Sequence, residues 1–158
     1  MSRAAFLKDT DFEWMLSNAE QWVPGVITEA LRAGASVLAA EMKRNLRGVI
    51  ADPQAHELVN SFGITPVGQD RQRNWNVHLG FDGYQQPGTG EWKTTGIPFQ
   101  MIARVFESGS TKNGYQWRQP TGFARRAVQS KRQAAEAEMK RVAEAAMKRA
   151  AESGKGKV

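Results

Sequence analysis

The sequence predicts an α+β chain in which helices pack against an antiparallel strand pair. Three observations predict it. Apolar residues recur with a 3.6-residue period from Pro24 to about Arg47; two extended stretches between Phe62 and Phe81 are joined by a polar connection; and from Phe123 onward the chain is rich in Ala, Lys and Arg. A length of 158 residues suits one domain, 1–158, with room for a real core.

Asp9 to Trp22 has Phe12, Met15 and Leu16 on one side and acids early, the pattern of a short helix. Pro24 is expected to restart the helix. The stripe then runs through Ile27, Ala30, Leu31, Gly34, Val37, Leu38, Met42 and Leu46, with Glu29, Arg32, Lys43 and Arg44 off it. Ala33, Gly34 and Ala35 are small, and a helical Gly costs about 1 kcal/mol against Ala, so close approach of another backbone explains Gly34. Gly48 closes this helix and Asp52-Pro53 marks a turn.

His56 to Asn60 reads as one helical turn before an extended run through Phe62, Ile64 and Val67. A second strand is expected at Trp75 to Phe81, where Trp75, Val77, Leu79 and Phe81 alternate with Asn76, His78 and Gly80 and take the core face. Gly68 to Asn74 is the hairpin connection between them. Asp82 to Thr95 holds four Gly or Pro residues in fourteen positions and reads as a loop, as does Ser110 to Gly122. Loops of this length usually bind something, and exposed Trp and Tyr anchor interfaces, so 82–95 and 110–122 are expected to be contact surfaces. The alternative is that their aromatics fold back onto the core.

Between the loops lies Gly96 to Gly109, GIPFQMIARVFESG, around which the rest of the chain is organised. Phe99, Ile102, Val105 and Phe106 share one wall of a short helix. Pro98 suits the first turn and Ser108-Gly109-Ser110 supplies the stop. Arg104 and Glu107 are then surface residues. In the last helix, Phe123 to about Ser153, only Val128 and Val142 are β-branched. Val128, Ala135, Met139, Val142, Ala146 and Ala150 form a thin stripe, so the helix packs lightly or closely and is open to projecting from the body. Residues 154–158 are expected to be a flexible tail.

Net charge is +6. Phe123 to Val158 holds ten Lys+Arg and four Asp+Glu, which accounts for all of it, and the first 122 residues balance to zero. A basic element on a neutral body points to an anionic partner, either nucleic acid or an acidic protein surface, or simply to a solvated helix face. There is no cysteine, which removes disulfides and thiolate chemistry and fits a reducing cytoplasm. No apolar run approaches the roughly 18 residues of a membrane helix, and MSRAAFLKDTDFEW lacks a signal-peptide core.

No catalytic constellation is visible. His56 and His78 have no further ligands at metal-binding spacing. His56-Glu57 begins like a zinc-protease motif, but Asn60 stands where the second His is needed. GTGEWKTT lacks the spacing of a phosphate-binding loop, and neither GxGxxG nor GxSxG occurs. The expectation is a protein without enzymatic activity, cofactor or metal.

Taken in order, the segments resemble the tail-completion or head–tail connector proteins of long-tailed bacteriophages, the small proteins of the neck. Glu57-Leu58-Val59-Asn60-Ser61 looks like that family's Gly-x-Leu-x-x-Ser turn, with Glu at a different place. Ile102 to Gly109 looks like its hydrophobic-x-x-hydrophobic-Glu-x-Gly element. Pro120 to Ala127, PTGFARRA, is similar to the Pro-Phe-x-x-Pro-Ala lead-in to the last helix, with Thr121-Gly122 inserted and the second Pro absent. The match spans roughly Pro24 to Ala150.

The resemblance implies an antiparallel sheet packed by helices, and a homo-oligomeric ring, a hexamer of about six subunits, at the head–tail junction of the virion. Portal or adaptor proteins would lie on one side and the tail tube or tail terminator on the other, with DNA passing through the lumen and no membrane involved. Assembly would take place in the host cytoplasm. The candidate partner-binding residues are Tyr84, Trp92, Tyr115, Trp117 and Arg118 in the loops, with Arg125, Arg126, Lys131 and Arg132 on the last helix. These cations would meet acidic surfaces or the phosphates of DNA without reading sequence. Alternatives are a tail terminator or minor capsid protein, a stand-alone non-specific nucleic-acid-binding protein, and a small hydrolase, for which nothing positive speaks.

Overall fold

The structure is a computed structural model that describes residues 19–50, 56–86, 94–112 and 114–154. Two long helices dominate it: α1 (Ala19–Val49) and α4 (Phe123–Gly154). They run antiparallel, because Glu29 pairs with Arg149 near one end, Gly34 faces Met139 and Ala135 in the middle, and Asn45 Nδ2 donates to the Phe123 carbonyl at the other. The last helix therefore lies along α1 over its length rather than projecting. Its alanines explain how: Ala127, Ala135, Ala146 and Ala151 are buried against α1, whose own Ala30, Gly34, Ala35 and Ala39 are equally small. Val128, expected in the stripe, is exposed.

At Gly34 helix α1 faces the Met139 side chain and the Ala135 carbonyl of α4. A Cβ there would overlap Cγ and Sδ of Met139, so the small residue is required by packing, as its cost in a helix suggested. Gly34→Ala gains about 1 kcal/mol of helix propensity but overpacks the seam, which costs about 1–3 kcal/mol. The net result expected in urea denaturation is a loss of stability. Met139→Ala should cost less in the Gly34→Ala background than in the parent, because the clash is then gone.

Helix α1 is continuous from Ala19 through Pro24, so Pro24 does not restart it. The proline φ is compatible with a helix and only one N–H is lost; Thr28 Oγ1 donates back to the Pro24 carbonyl at 2.8 Å. The Asp9 to Asn18 part of the expected first helix lies outside the described residues. By length and composition α1 also passes for a membrane span, with an 18-residue window of mean hydropathy 1.2; its stretch of mixed Ala, Leu, Val and Gly escaped a reading based on uninterrupted apolar runs. In the fold its buried side lies against α4 and the core.

Helix α2 (His56–Asn60) leads into an interrupted hairpin of β1 (Phe62–Ile64), β2 (Gly68–Gln69), β3 (Trp75–Asn76) and β4 (Leu79–Phe81). β1 pairs antiparallel with β4, Phe62 opposite Phe81, and β2 with β3, Gly68 opposite Asn76. The expected single strand from Trp75 to Phe81 is thus split. The break falls at Pro66, where the register slips by one residue across Pro66-Val67 opposite Val77. Thr65 carries the first ribbon one step further: its N–H donates to the His78 carbonyl, and its Oγ1 accepts the His78 N–H, both at 2.9 Å.

The hairpin turn is tighter than the seven-residue connection expected, since Gly68 and Gln69 are already paired. Asp70 builds it. Its Oδ1 accepts the N–H groups of Gln72 and Asn74, and Arg73 takes a positive φ of 64°. The Asn74 N–H, with lesser help from the Asn74 side chain and the Gln72 N–H, holds the Asp70 carboxyl below its ordinary value of 3.8. A depressed carboxyl stabilises the fold above its unfolded-state pKa and loses that contribution as pH falls through the lower folded value. An NMR titration should therefore show the Gln72 and Asn74 amide shifts moving together, with a midpoint below 3.8.

β5 (Tyr84–Gln85) pairs with β6 (Ile97–Pro98), so both ends of the expected 82–95 loop are strand-bound or adjacent to strand; residues 87–93 lie outside the described residues. Helix α3 (Phe99–Ser108) follows, its first N–H donating to the Gly83 carbonyl at 3.1 Å. The expected 110–122 loop is largely a second ribbon, β7 (Ser110–Lys112) with β8 (Tyr115–Arg118). The core gathers Met42 and Leu46 of α1, Leu58 and Val59 of α2, Phe62, Phe99 and Phe106, and Phe123 and Ala127 of α4. The fold class is α+β as expected, with the antiparallel strands among the described residues divided into four two-stranded ribbons.

Candidate functional site

Helix α3 ends where α4 begins, and Glu107 joins them. The turn at Thr121-Gly122 is pinned by Thr121 N–H to the Phe106 carbonyl at 2.9 Å and Gly122 N–H to the Glu107 carbonyl at 3.1 Å. Glu107 is half-buried and its two carboxylate oxygens accept the N–H groups of Ala124 (2.9 Å) and Arg125 (3.1 Å). It is therefore not a plain surface residue, as its place opposite the apolar wall of α3 suggested. It caps the N-terminus of another helix, sixteen positions along the chain from its first residue, and sets a negative charge at the positive end of the helix dipole. Arg104 is exposed, as expected.

Gly109 makes the reversal after α3 possible. Its φ is 76°, its N–H closes the helix on the Val105 carbonyl, and a Cβ would stand 2.6 Å from the Arg118 carbonyl oxygen. The ribbon that follows folds back so that the Arg118 guanidinium lies 3.6 Å above the Phe106 ring. Arg118 is half-buried there, and its Nε has no hydrogen-bond partner. Stacking on an aromatic face suits the weakly hydrated guanidinium.

The other candidate residues fall in two groups. Arg125 and Arg126 are exposed and line a shallow cleft of about 420 Å3 with Ser108, Pro120, Thr121 and Gln129, beside the Glu107 junction. Lys131 is half-buried, and Arg132 is paired with Glu136 at 2.8 Å. Arg141 and Arg149 are likewise paired, with Glu138 and Glu29. The basic face of α4 is thus partly neutralised by acids one turn away or across the seam.

The aromatics stand apart from this group. Tyr84 on β5 is 56% exposed and Tyr115 on β8 is 78% exposed, so neither folds back onto the core. Trp117 falls in β8, its side chain outside the described residues, and Trp92 lies outside them altogether. Sequence reasoning did not find a cleft of about 790 Å3 between the β1–β4 ribbon and α3. Ile64, Leu79, Phe81 and Ala103 give it an apolar floor; His78, Asp82, Arg104 and Glu107 supply polar groups. No cluster of three or more metal-ligating side chains occurs among the described residues.

The chain matches no protein-family model, and no curated protein or solved structure is significantly similar to it. The functional reading accordingly rests on the residues and their arrangement.

Proposed function

We propose that the chain is a structural protein of a tailed-bacteriophage virion, which forms a ring at the head–tail junction and joins the tail to the DNA-filled head. The observation that carries this reading is a convergence. The three segments with the resemblance to neck proteins, Glu57 to Ser61, Ile102 to Gly109 and Pro120 to Ala127, meet in one place. Leu58, Val59, Phe106, Phe123 and Ala127 share the core, and Glu107 ties the second segment to the third.

The surface supports an adaptor role. Tyr84 and Tyr115 are presented on ribbons at the periphery, where amphipathic aromatics serve as interface anchors. Exposed Arg125 and Arg126 carry unpaired charge toward an acidic partner ring or passing phosphates. In this reading the function is geometric: each subunit meets its neighbours in the ring, a portal or adaptor protein on one side and a tail tube or terminator on the other.

Electron microscopy of the negatively stained protein, at concentrations up to millimolar and with a portal ring added as template, tests the proposal. Closed annular particles with an axial hole are expected. Dispersed single chains under every condition, combined with duplex-DNA affinity that falls about a thousandfold or more between 50 and 200 mM salt, would instead favour a stand-alone nucleic-acid-binding protein.

A further inference from the structure

The tip of the β7–β8 ribbon carries an exposed aromatic ring and a cation, and the cleft between the β1–β4 ribbon and α3 holds apolar surface and an exposed acid. Lys112 pairs directly with Tyr115 across the ribbon, so the two side chains leave the same face. Tyr115 is 78% exposed, the most of the large apolar side chains among the described residues. From Ser110 to Gly122 there are two cations, Lys112 and Arg118, and no acid. A two-stranded ribbon is marginal in water by itself, which makes one with an aromatic ring at its tip a natural element to be held by a partner.

The cleft offers the matching features. Its volume of about 790 Å3 is that of a binding cleft rather than of a packing gap. Ile64 and Leu79 present apolar surface, and Asp82 and Arg104, both exposed to solvent, lie among its lining residues. The cleft in the same chain is not where the tip goes, since Tyr115 is not among the residues that line it.

We infer that the ribbon tip of one copy seats in this cleft of a second copy, with the Tyr115 ring on Ile64 and Leu79 and the Lys112 ammonium against the Asp82 carboxylate. A tyrosine that enters such a site buries about 150–250 Å2, and the ion pair sets the orientation. Because tip and cleft are different surfaces, the contact is head-to-tail, the type that closes into rings when its rotation allows. The inference rests on the ring-forming reading above and names the interface that would build it.

Sedimentation of the full chain over a concentration series tests it. Tyr115→Ala and Lys112→Glu should each raise the concentration at half-assembly by at least about tenfold. Adding Asp82→Lys to Lys112→Glu should bring it back toward the parent. All three positions are exposed, and thermal melts of the variants check that the fold is kept. If the parent assembles and the single variants assemble equally well, or the reversed pair gives no recovery, this interface is overturned while the ring reading stands. A parent that stays monomeric at millimolar concentration also overturns it, and the connector role is then decided by assembly on the portal ring.

Discussion

Phe123→Ala is expected to lower the stability of the protein by about 3–5 kcal/mol, the range for removing a buried phenylalanine. Phe123 opens α4 and is 3% exposed. Its ring stands edge-on to Phe81, with centroids 6.2 Å apart, and Phe81 in turn tilts against Phe62 at 5.0 Å. One side chain thus ties the long terminal helix to the hairpin. Beside it Ala127 has no exposed surface, so the neighbouring backbone has little freedom to collapse into the gap. Against a total of about 5–15 kcal/mol for a natural domain, the loss is a large share of the stability. Urea denaturation with a matched Val128→Ala control checks it. Val128 is on the same helix but exposed, and its replacement should stay within about 0.5 kcal/mol.

Glu107→Ala should cost about 1.5–3 kcal/mol, the range for hydrogen bonds to a charged group. Two backbone N–H groups at the start of α4 lose their acceptor together, and the basic pair Arg125-Arg126 is left at the positive end of the dipole without compensation. Glu107→Gln keeps one acceptor oxygen and removes the charge, so its loss should be intermediate. The effect is local first. Amide hydrogen exchange at Ala124 and Arg125 should accelerate by more than exchange at Ala135 in mid-helix, which separates a lost cap from general destabilisation.

The helices were legible because their signals are local and long. The stripe from Ile27 to Leu46 and the Ala-rich run after Phe123 each repeat a pattern over five turns or more, and the wall of Phe99, Ile102 and Phe106 is unambiguous in a segment bounded by Pro98 and Gly109. Even the close contact between helices at Gly34 was visible as a helical glycine flanked by small residues. What sequence reasoning missed is of two kinds. Some was present but overlooked: the 110–122 stretch, read as a loop, contains in its sequence Asn-Gly at 113–114, the dipeptide that most favours a two-residue hairpin turn. Pro66 announced the break in the ladder in the same way.

The rest depends on contacts distant in sequence. Nothing in the neighbourhood of Glu107 says that it will cap a helix that starts at Phe123, because its partners are backbone amides, which every residue carries. The pairing of Tyr84-Gln85 with Ile97-Pro98 is too short to leave a pattern. The cleft between β4 and α3 exists only once both are docked. Of the candidate residues, Tyr84 and Tyr115 stand exposed as an interface requires, whereas Arg118, expected among the partner-binding residues, lies on Phe106 in a stacking contact that no spacing rule encodes.

The measurement that bears most directly on the proposed ring is the mass of the full chain in solution, by native mass spectrometry from micromolar to millimolar concentration, with and without short duplex DNA and with a portal ring as template. The proposal predicts one closed species of about six subunits, formed alone or on the template, with DNA leaving its stoichiometry unchanged. A chain that remains a monomer on the template as well, and binds DNA with a steep salt dependence, would contradict it and make the basic face of α4 the functional site.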